Sequence, residues 1–168
     1  MAATAKWYVF YTRSRAEKKT LEQLTRHGQQ TYLPLIEEVK QWSDRKKKVE
    51  VPLFRSYIFI HCAEHEIPEL LQWQPNLVTY VRYNGKPAVI RQEELDSIER
   101  FISTGLSITV QNDSELEQGD RVKVMGGPLE GMEGEITEMA NQHFFMVHIE
   151  AIQQAMMVKV PEQFLKKI

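Results

Sequence analysis

Trp7-Tyr8-Val9-Phe10-Tyr11 is the longest unbroken apolar run in the chain, and all but one of its residues are aromatic. Such a run, without polar alternation, predicts a central β-strand covered on both faces. It is far too short to cross a bilayer, which takes about 20 apolar residues. Ahead of it, Met1–Lys6 lacks the basic start and long apolar stretch of a secretory signal.

Outward from this strand, the punctuation alternates helix and strand. Ser14-Arg15-Ala16-Glu17 has capping-box spacing, Leu21 and Leu24 share a helical face, and Gly28 supplies a left-handed stop. Thr31–Ile36 reads as a strand that Pro34 pushes toward a sheet edge. From Glu37 to Glu50 apolar residues thin out and charge gathers at Asp44-Arg45-Lys46-Lys47-Lys48, which predicts a long hairpin with a basic tip. Val51–Ile60 reads as one strand, with Tyr57 and Phe59 on one face and Ile58 and Ile60 on the other. A short helix follows over Glu66–Trp73, with Pro68 in its first turn. Val78–Tyr83 is a strand ending at the Asn84-Gly85 turn, Ala88-Val89-Ile90 is a short apolar piece, and Glu93–Ile102 is a helix with Leu95, Ile98 and Ile102 inward. The order predicts an α+β domain, an antiparallel sheet sandwiched by helices.

The last fifty residues switch to a period of two. Val122 and Val124 alternate with Arg121 and Lys123, and Glu135–Met139, His143–Ile149 and Met156–Val160 complete four short strands. Gly119, Gly126, Gly127, Pro128, Gly131 and Gly134 are too many helix breakers for a helical reading. A small β-barrel fits, since closure removes exposed edges. Between the two regions, 105–117 is polar and reads as a linker in which Ser107–Val110 can form a short strand. The expected organisation is therefore a domain over 1–104, a linker over 105–117 and a barrel over 118–168.

Composition agrees with a globular chain: of 168 residues, 42% are hydrophobic and 26% charged, which excludes disorder, collagen and a disulfide scaffold. Cys62 is the single cysteine, so the sequence predicts a cytosolic protein without an intrachain disulfide. The net charge of −2 conceals an asymmetry. Residues 1–104 carry 16 Lys+Arg and 13 Asp+Glu, or +3; residues 105–168 carry 5 and 10, or −5. Two units with different partners are implied.

Catalytic patterns are missing: no phosphate-binding glycine loop, dinucleotide fingerprint or nucleophile elbow occurs. His61-Cys62-Ala63-Glu64-His65 is the one local cluster with ligand-type residues, and no second cluster completes four ligands. The sequence predicts no enzyme activity, no cofactor and no metal.

The chain resembles the transcription factors of the NusG type. Trp7–Thr12 leading into Glu17-Lys18-Lys19, Val51–Ile60, and Tyr80-Val81-Arg82-Tyr83 followed by Gly85-Lys86-Pro87-Ala88 are similar to the NGN domain of that family. Gly119–Val124 with Gly127–Gly134 is similar to its KOW motif, the signature of an SH3-like barrel. The resemblance covers nearly the whole chain in the family's domain order. It implies a monomer that binds RNA polymerase, docking an aromatic sheet face on the clamp helices of the largest subunit and keeping transcription processive. The matching positions are Tyr11, Phe54, Tyr57, Phe59 and Tyr83, unless these aromatics are ordinary core. Basic side chains at Arg13, Arg15, Lys18, Arg26, Arg45, Lys46, Lys47 and Lys48 would meet non-template or upstream DNA, with Trp42 available to stack on a base; the alternative is a merely solvated tip. The barrel would recruit a small ribosomal-subunit protein or the Rho factor through Phe144, Phe145 and Met146, at least one of which alternation turns outward.

Two departures bear on the class of member. Phe54 is followed by Arg55-Ser56 where the family often has Pro-Gly or Pro-Asn, and Gln41–Lys46 looks more like the specialised RfaH-like and UpxY-like antiterminators of long operons than the housekeeping factor. A ribosome- or RNA-binding KOW protein would carry a basic C-terminal half, and this one is acidic. An enzyme built on His61–His65 is the remaining alternative.

Overall fold

The computed structural model of the protein describes residues 4–117 and 119–168. Three of the residues in the N-terminal leader reading, 1–3, and Gln118, the expected first residue of the barrel, lie outside the described residues. The chain divides into two compact units, one ending at Arg91 and one spanning Gln92–Ile168.

In the first unit, chain order runs β1 (Lys6–Thr12), α1 (Glu17–Arg26), β2 (Gln30–Tyr32), β3 (Leu35–Gln41), β4 (Lys46–Pro52), β5 (Tyr57–Cys62), α2 (Ile67–Trp73), β6 (Leu77–Tyr80), β7 (Arg82–Tyr83) and β8 (Lys86–Pro87). Four strands form an antiparallel sheet in the order β2-β5-β1-β6, with the aromatic run of β1 central as the sequence predicts. Residues opposite each other across β1 and β5 include Tyr8 and Ile60, Phe10 and Ile58, Val9 and Phe59, and Tyr11 and Tyr57. Because side chains alternate, Tyr8, Phe10, Ile58, Ile60 and Cys62 share one face. They form a core with Leu24 of α1 and Ile67 and Leu70 of α2. The opposite face carries Trp7, Val9, Tyr11, Tyr57, Phe59 and His61.

Three expected elements are interrupted, each for a local reason. The capping box does not form: Ala16 is the N-cap of α1, no side chain caps it, and the Glu17 carboxylate turns elsewhere. The strand expected over Thr31–Ile36 breaks at Leu33-Pro34, where proline offers no N–H to a ladder. The strand expected over Val51–Ile60 breaks over Leu53–Ser56, with Ser56 at a φ of 65°. β3 and β4 therefore leave the main sheet as a separate two-stranded hairpin, closed by hydrogen bonding between Trp42 and Arg45. Val81 likewise divides the strand expected over Val78–Tyr83, and Asn84-Gly85 make the anticipated tight turn at φ of 52° and 77°.

The second unit opens with α3 (Gln92–Ser103), whose Leu95, Ile98 and Phe101 are buried. Then come β9 (Thr109–Asn112), β10 (Arg121–Val124), β11 (Glu133–Met139), β12 (Gln142–Ile149), β13 (Gln154–Val158) and β14 (Leu165–Lys167). They make an antiparallel six-stranded sheet in the order β14-β10-β11-β12-β13-β9, the small barrel that the glycine spacing predicts with two added strands. One addition, β9, arises inside the expected linker. α3 is tied to this unit: the Phe101 and Phe145 ring centroids are 6.0 Å apart, and Arg100 Nη2 donates to the carbonyls of Pro128 at 3.2 Å and Glu130 at 2.9 Å. The sequence reading places α3 in the N-terminal domain instead.

Candidate functional site

The second face of the first sheet is a row of rings laid across strands. Tyr11 and Tyr57, opposite in register, have ring centroids 5.1 Å apart at an angle of 39°. Phe59 lies 6.2 Å from Tyr32 of the edge strand β2, and Trp7 lies 5.1 Å from His61. Such tilted pairs contribute roughly 0.5–1.5 kcal/mol each beyond the area they bury. Tyr11 and Tyr57 are half-buried, and Tyr83, at the β7–β8 turn, is 37% exposed. Phe59 and Phe54 are not available in the same way: both are core side chains, at 0% and 2% exposure. Of the aromatics that the sequence assigns to a partner face, Tyr11 and Tyr57 keep accessible surface, while Phe59, on the same face, and Phe54 are covered. Trp7 and Tyr32 belong to the same face and were missed. Trp7 follows from the period-two pattern, whereas Tyr32 requires the β2–β5 register.

Tyr57 is aimed by the turn before it. Ser56 sits in the left-handed region, its N–H donates to Glu17 Oε2 at 2.9 Å, and its carbonyl accepts the Thr12 N–H at 2.9 Å. A buried carboxylate from α1 and the end of β1 therefore hold a non-glycine residue in a conformation that serine adopts at a cost.

The basic residues fall into two groups. Arg45, Lys46, Lys47 and Lys48 gather at the β3–β4 tip, where the Arg45 guanidinium and Lys47 ammonium sit 5.5 Å and 5.4 Å from the centroid of Trp42, itself 43% exposed. Lys40, which the sequence reading left out, stands directly opposite Lys47. Lys18 Nζ donates to the Glu50 carbonyl and so joins α1 to the same hairpin. Arg13 Nε donates to the Pro75 carbonyl at 3.1 Å, and Arg15 is exposed at a φ of 61°. Arg26 pairs with Glu22 at 2.5 Å near the far end of α1, about 12 Å along the helix axis from Lys18. It does not join the tip.

In the second unit Phe144 is half-buried, with the Lys159 ammonium 6.0 Å from its ring centroid. Phe145 and Met146 are fully buried, so of the three expected partner-binding residues only Phe144 keeps an accessible side chain. Phe145 meets Phe101 of α3, while Met146 packs with Ala155, Met157, Leu116 and Phe144, so both faces of the strand are covered. A groove of about 550 Å3 runs across the same unit, floored by Val122, Ile136 and Leu165 and rimmed by Glu138, Glu162 and the Asp120–Lys167 pair at 3.1 Å.

At His61–His65 no ligand constellation assembles. His61 faces Trp7, and Cys62 is buried in the core; burial, aided by Glu66, pushes its thiol up to about 12, so it stays protonated. Among the described residues no group of three or more His, Cys, Asp and Glu is placed to hold a metal ion, and no helix is long and apolar enough to cross a membrane.

Comparison with known proteins bears on the whole chain. A family model described as transcription termination factor nusG matches residues 5–99. The transcription termination/antitermination protein NusG of Streptococcus pyogenes is 27% identical over 149 residues, covering 80% of this chain and 81% of the relative. That of Borreliella burgdorferi is 29% identical and covers 96% of this chain and 98% of its own. Among solved structures, Thermotoga maritima NusG, described for its domain interaction, superposes with a TM-score of 0.53 at 20% identity and covers 98% of both chains, a likeness of fold.

Proposed function

Since the chain belongs to the NusG family of transcription factors, we propose that it binds RNA polymerase through the Tyr11–Tyr57 face and promotes processive transcription. The half-buried tyrosine pair carries this reading. It offers large apolar area at low entropic cost, as hot spots do, and its same-face neighbours Val9 and Phe59 are fully buried. The first unit, ending at Arg91, acts as the polymerase-binding domain, with the clamp helices of the largest subunit as the docking site and Tyr83 at its margin.

The basic hairpin tip contacts the non-template strand or the upstream duplex. The pairing of Lys40 with Lys47 supports this, since like charges directly opposite each other destabilise a hairpin unless an anion relieves them. The acidic barrel, 118–168, takes a protein partner, a small ribosomal-subunit protein or the Rho factor, through a surface at Phe144. The protein acts in the cytoplasm as a monomer.

Within the family we assign the chain to the specialised, UpxY-like antiterminators that govern read-through of long operons. A general elongation and termination factor is the second reading, favoured by the names of the S. pyogenes and B. burgdorferi relatives. Transcription in vitro across an intrinsic terminator and a Rho-dependent terminator separates them. Raised read-through supports the specialised role; increased termination contradicts it.

A further inference from the structure

β9 comes from the stretch between α3 and the rest of the barrel, yet it completes the sheet along one edge of β13. Asn112 stands opposite Gln154, Gln111 opposite Ala155, Val110 opposite Met156 and Thr109 opposite Met157. The two sides of this seam differ in kind. Ala155, Met156 and Met157 are fully buried, whereas Thr109, Val110 and Gln111 are half-exposed and Asn112 is exposed. Four residues of ladder with so little buried side chain open readily.

The strand is fastened at its end instead. The Asp113 N–H donates to the Gln153 carbonyl at 3.0 Å. Asp113 Oδ1 lies 2.7 Å from Nδ1 of His148 on β12, whose Nε2 lies 2.5 Å from Glu135 Oε2 on β11. A neutral imidazole carries one N–H and would set a lone pair against the second carboxylate, so both contacts are hydrogen bonds only when the ring is doubly protonated. Partial burial works against that charge, but the hydrogen bonds to Asp113 and Glu135, and their charges, outweigh it and hold His148 above the ordinary histidine value. The surrounding charged groups do not reverse this balance. Glu117 lines the same cleft, Arg121 of β10 is opposite Glu135 and 3.6 Å from Glu133, and β13 sets the apolar Ala155 opposite His148.

We propose that residues 109–113 are a displaceable strap, latched to the barrel edge by the Asp113–His148–Glu135 bridge. Its release would expose the main-chain edge of β13 and lengthen the tether of α3. With the strap paired, the tether runs from Ser103 to Thr109; released, it runs from Ser103 to Leu116, which stays packed against Met146.

The protonated ring is the latched state. A histidine whose folded value is raised contributes fully below its unfolded value and loses that contribution as pH rises through the folded one. Amide hydrogen exchange on the full chain, normalised for intrinsic rates, tests this between about pH 6 and pH 9. The strap amides are expected to lose about tenfold or more in protection across that range while β11 and β12 keep theirs. His148→Gln and Asp113→Ala should each show the high-pH behaviour already at the low end. Three results overturn the proposal: strap amides that exchange only together with β10–β12, strap protection indifferent to pH, or both substitutions leaving it unchanged.

Discussion

Glu17 Oε2 accepts the backbone N–H of Ser56 at 2.9 Å, joining the first residue of α1 to the turn that launches β5. Glu17 is buried, so removing its carboxylate strands an amide away from water. Glu17→Ala should lower stability by about 1–3 kcal/mol. Ser56→Gly should raise it by about 0.5–1 kcal/mol, because glycine adopts a φ of 65° without the side-chain penalty. Urea midpoints at constant m-value check both. Loss of stability in Ser56→Gly would contradict the account of this turn.

At the hairpin tip, Lys40 and Lys47 are opposed and Trp42 lies beneath Arg45 and Lys47. Replacing Lys46, Lys47 and Lys48 by alanine should weaken DNA binding and lower the slope of log affinity against log salt by about 0.7–0.9 for each phosphate no longer neutralised. Trp42→Ala should weaken single-stranded DNA more than duplex, by about 1–3 kcal/mol, with the salt slope unchanged. Fluorescence anisotropy over a salt series reads both quantities.

Gly134 is required by close approach. A Cβ there would press on the Met146 carbonyl oxygen and come within 2.8 Å of the Phe145 ring. Gly134→Ala should therefore destabilise the second unit by about 1–3 kcal/mol or more. Gly131, at a φ of 90° with open space around it, should be disturbed only through its backbone conformation. Thermal unfolding of the two variants compares packing with strain.

Cys62 is 2% exposed and its thiol is held protonated. Reaction with a thiol reagent at about pH 8 should be far slower than for a free cysteine, whose value is about 8.5, and should accelerate in step with unfolding by urea. Rapid labelling of the native chain would contradict the placement of Cys62 in the core.

Local signals were legible and coverage was not. The period-two pattern correctly put Tyr57 with Phe59 and Ile58 with Ile60, the Asn84-Gly85 turn forms, and Gly28 ends α1 at a φ of 74°. Alternation, however, says which residues share a face and not which face is covered. Phe59 is therefore core where a partner surface was expected, and Phe145 and Met146 are both buried because α3 lies on one side of β12 and Leu116 on the other. The apolar residues on either side of Arg55-Ser56 read as one strand and hid the break at Ser56, whose unusual backbone depends on Glu17, 39 residues earlier. β9 pairs with a strand more than forty residues onward, a partnership that no local pattern carries.

Binding of the intact chain to core RNA polymerase, compared with Tyr57→Ala, Tyr11→Ala and Phe59→Ala, tests the central claim most directly. Phe59→Ala should fail by losing about 3–5 kcal/mol of stability. Tyr57→Ala and Tyr11→Ala should keep the fold by circular dichroism and weaken polymerase binding about tenfold or more, as truncated hot spots do. Folded tyrosine variants that bind as tightly as the intact chain, or an intact chain that does not bind polymerase, would contradict the account.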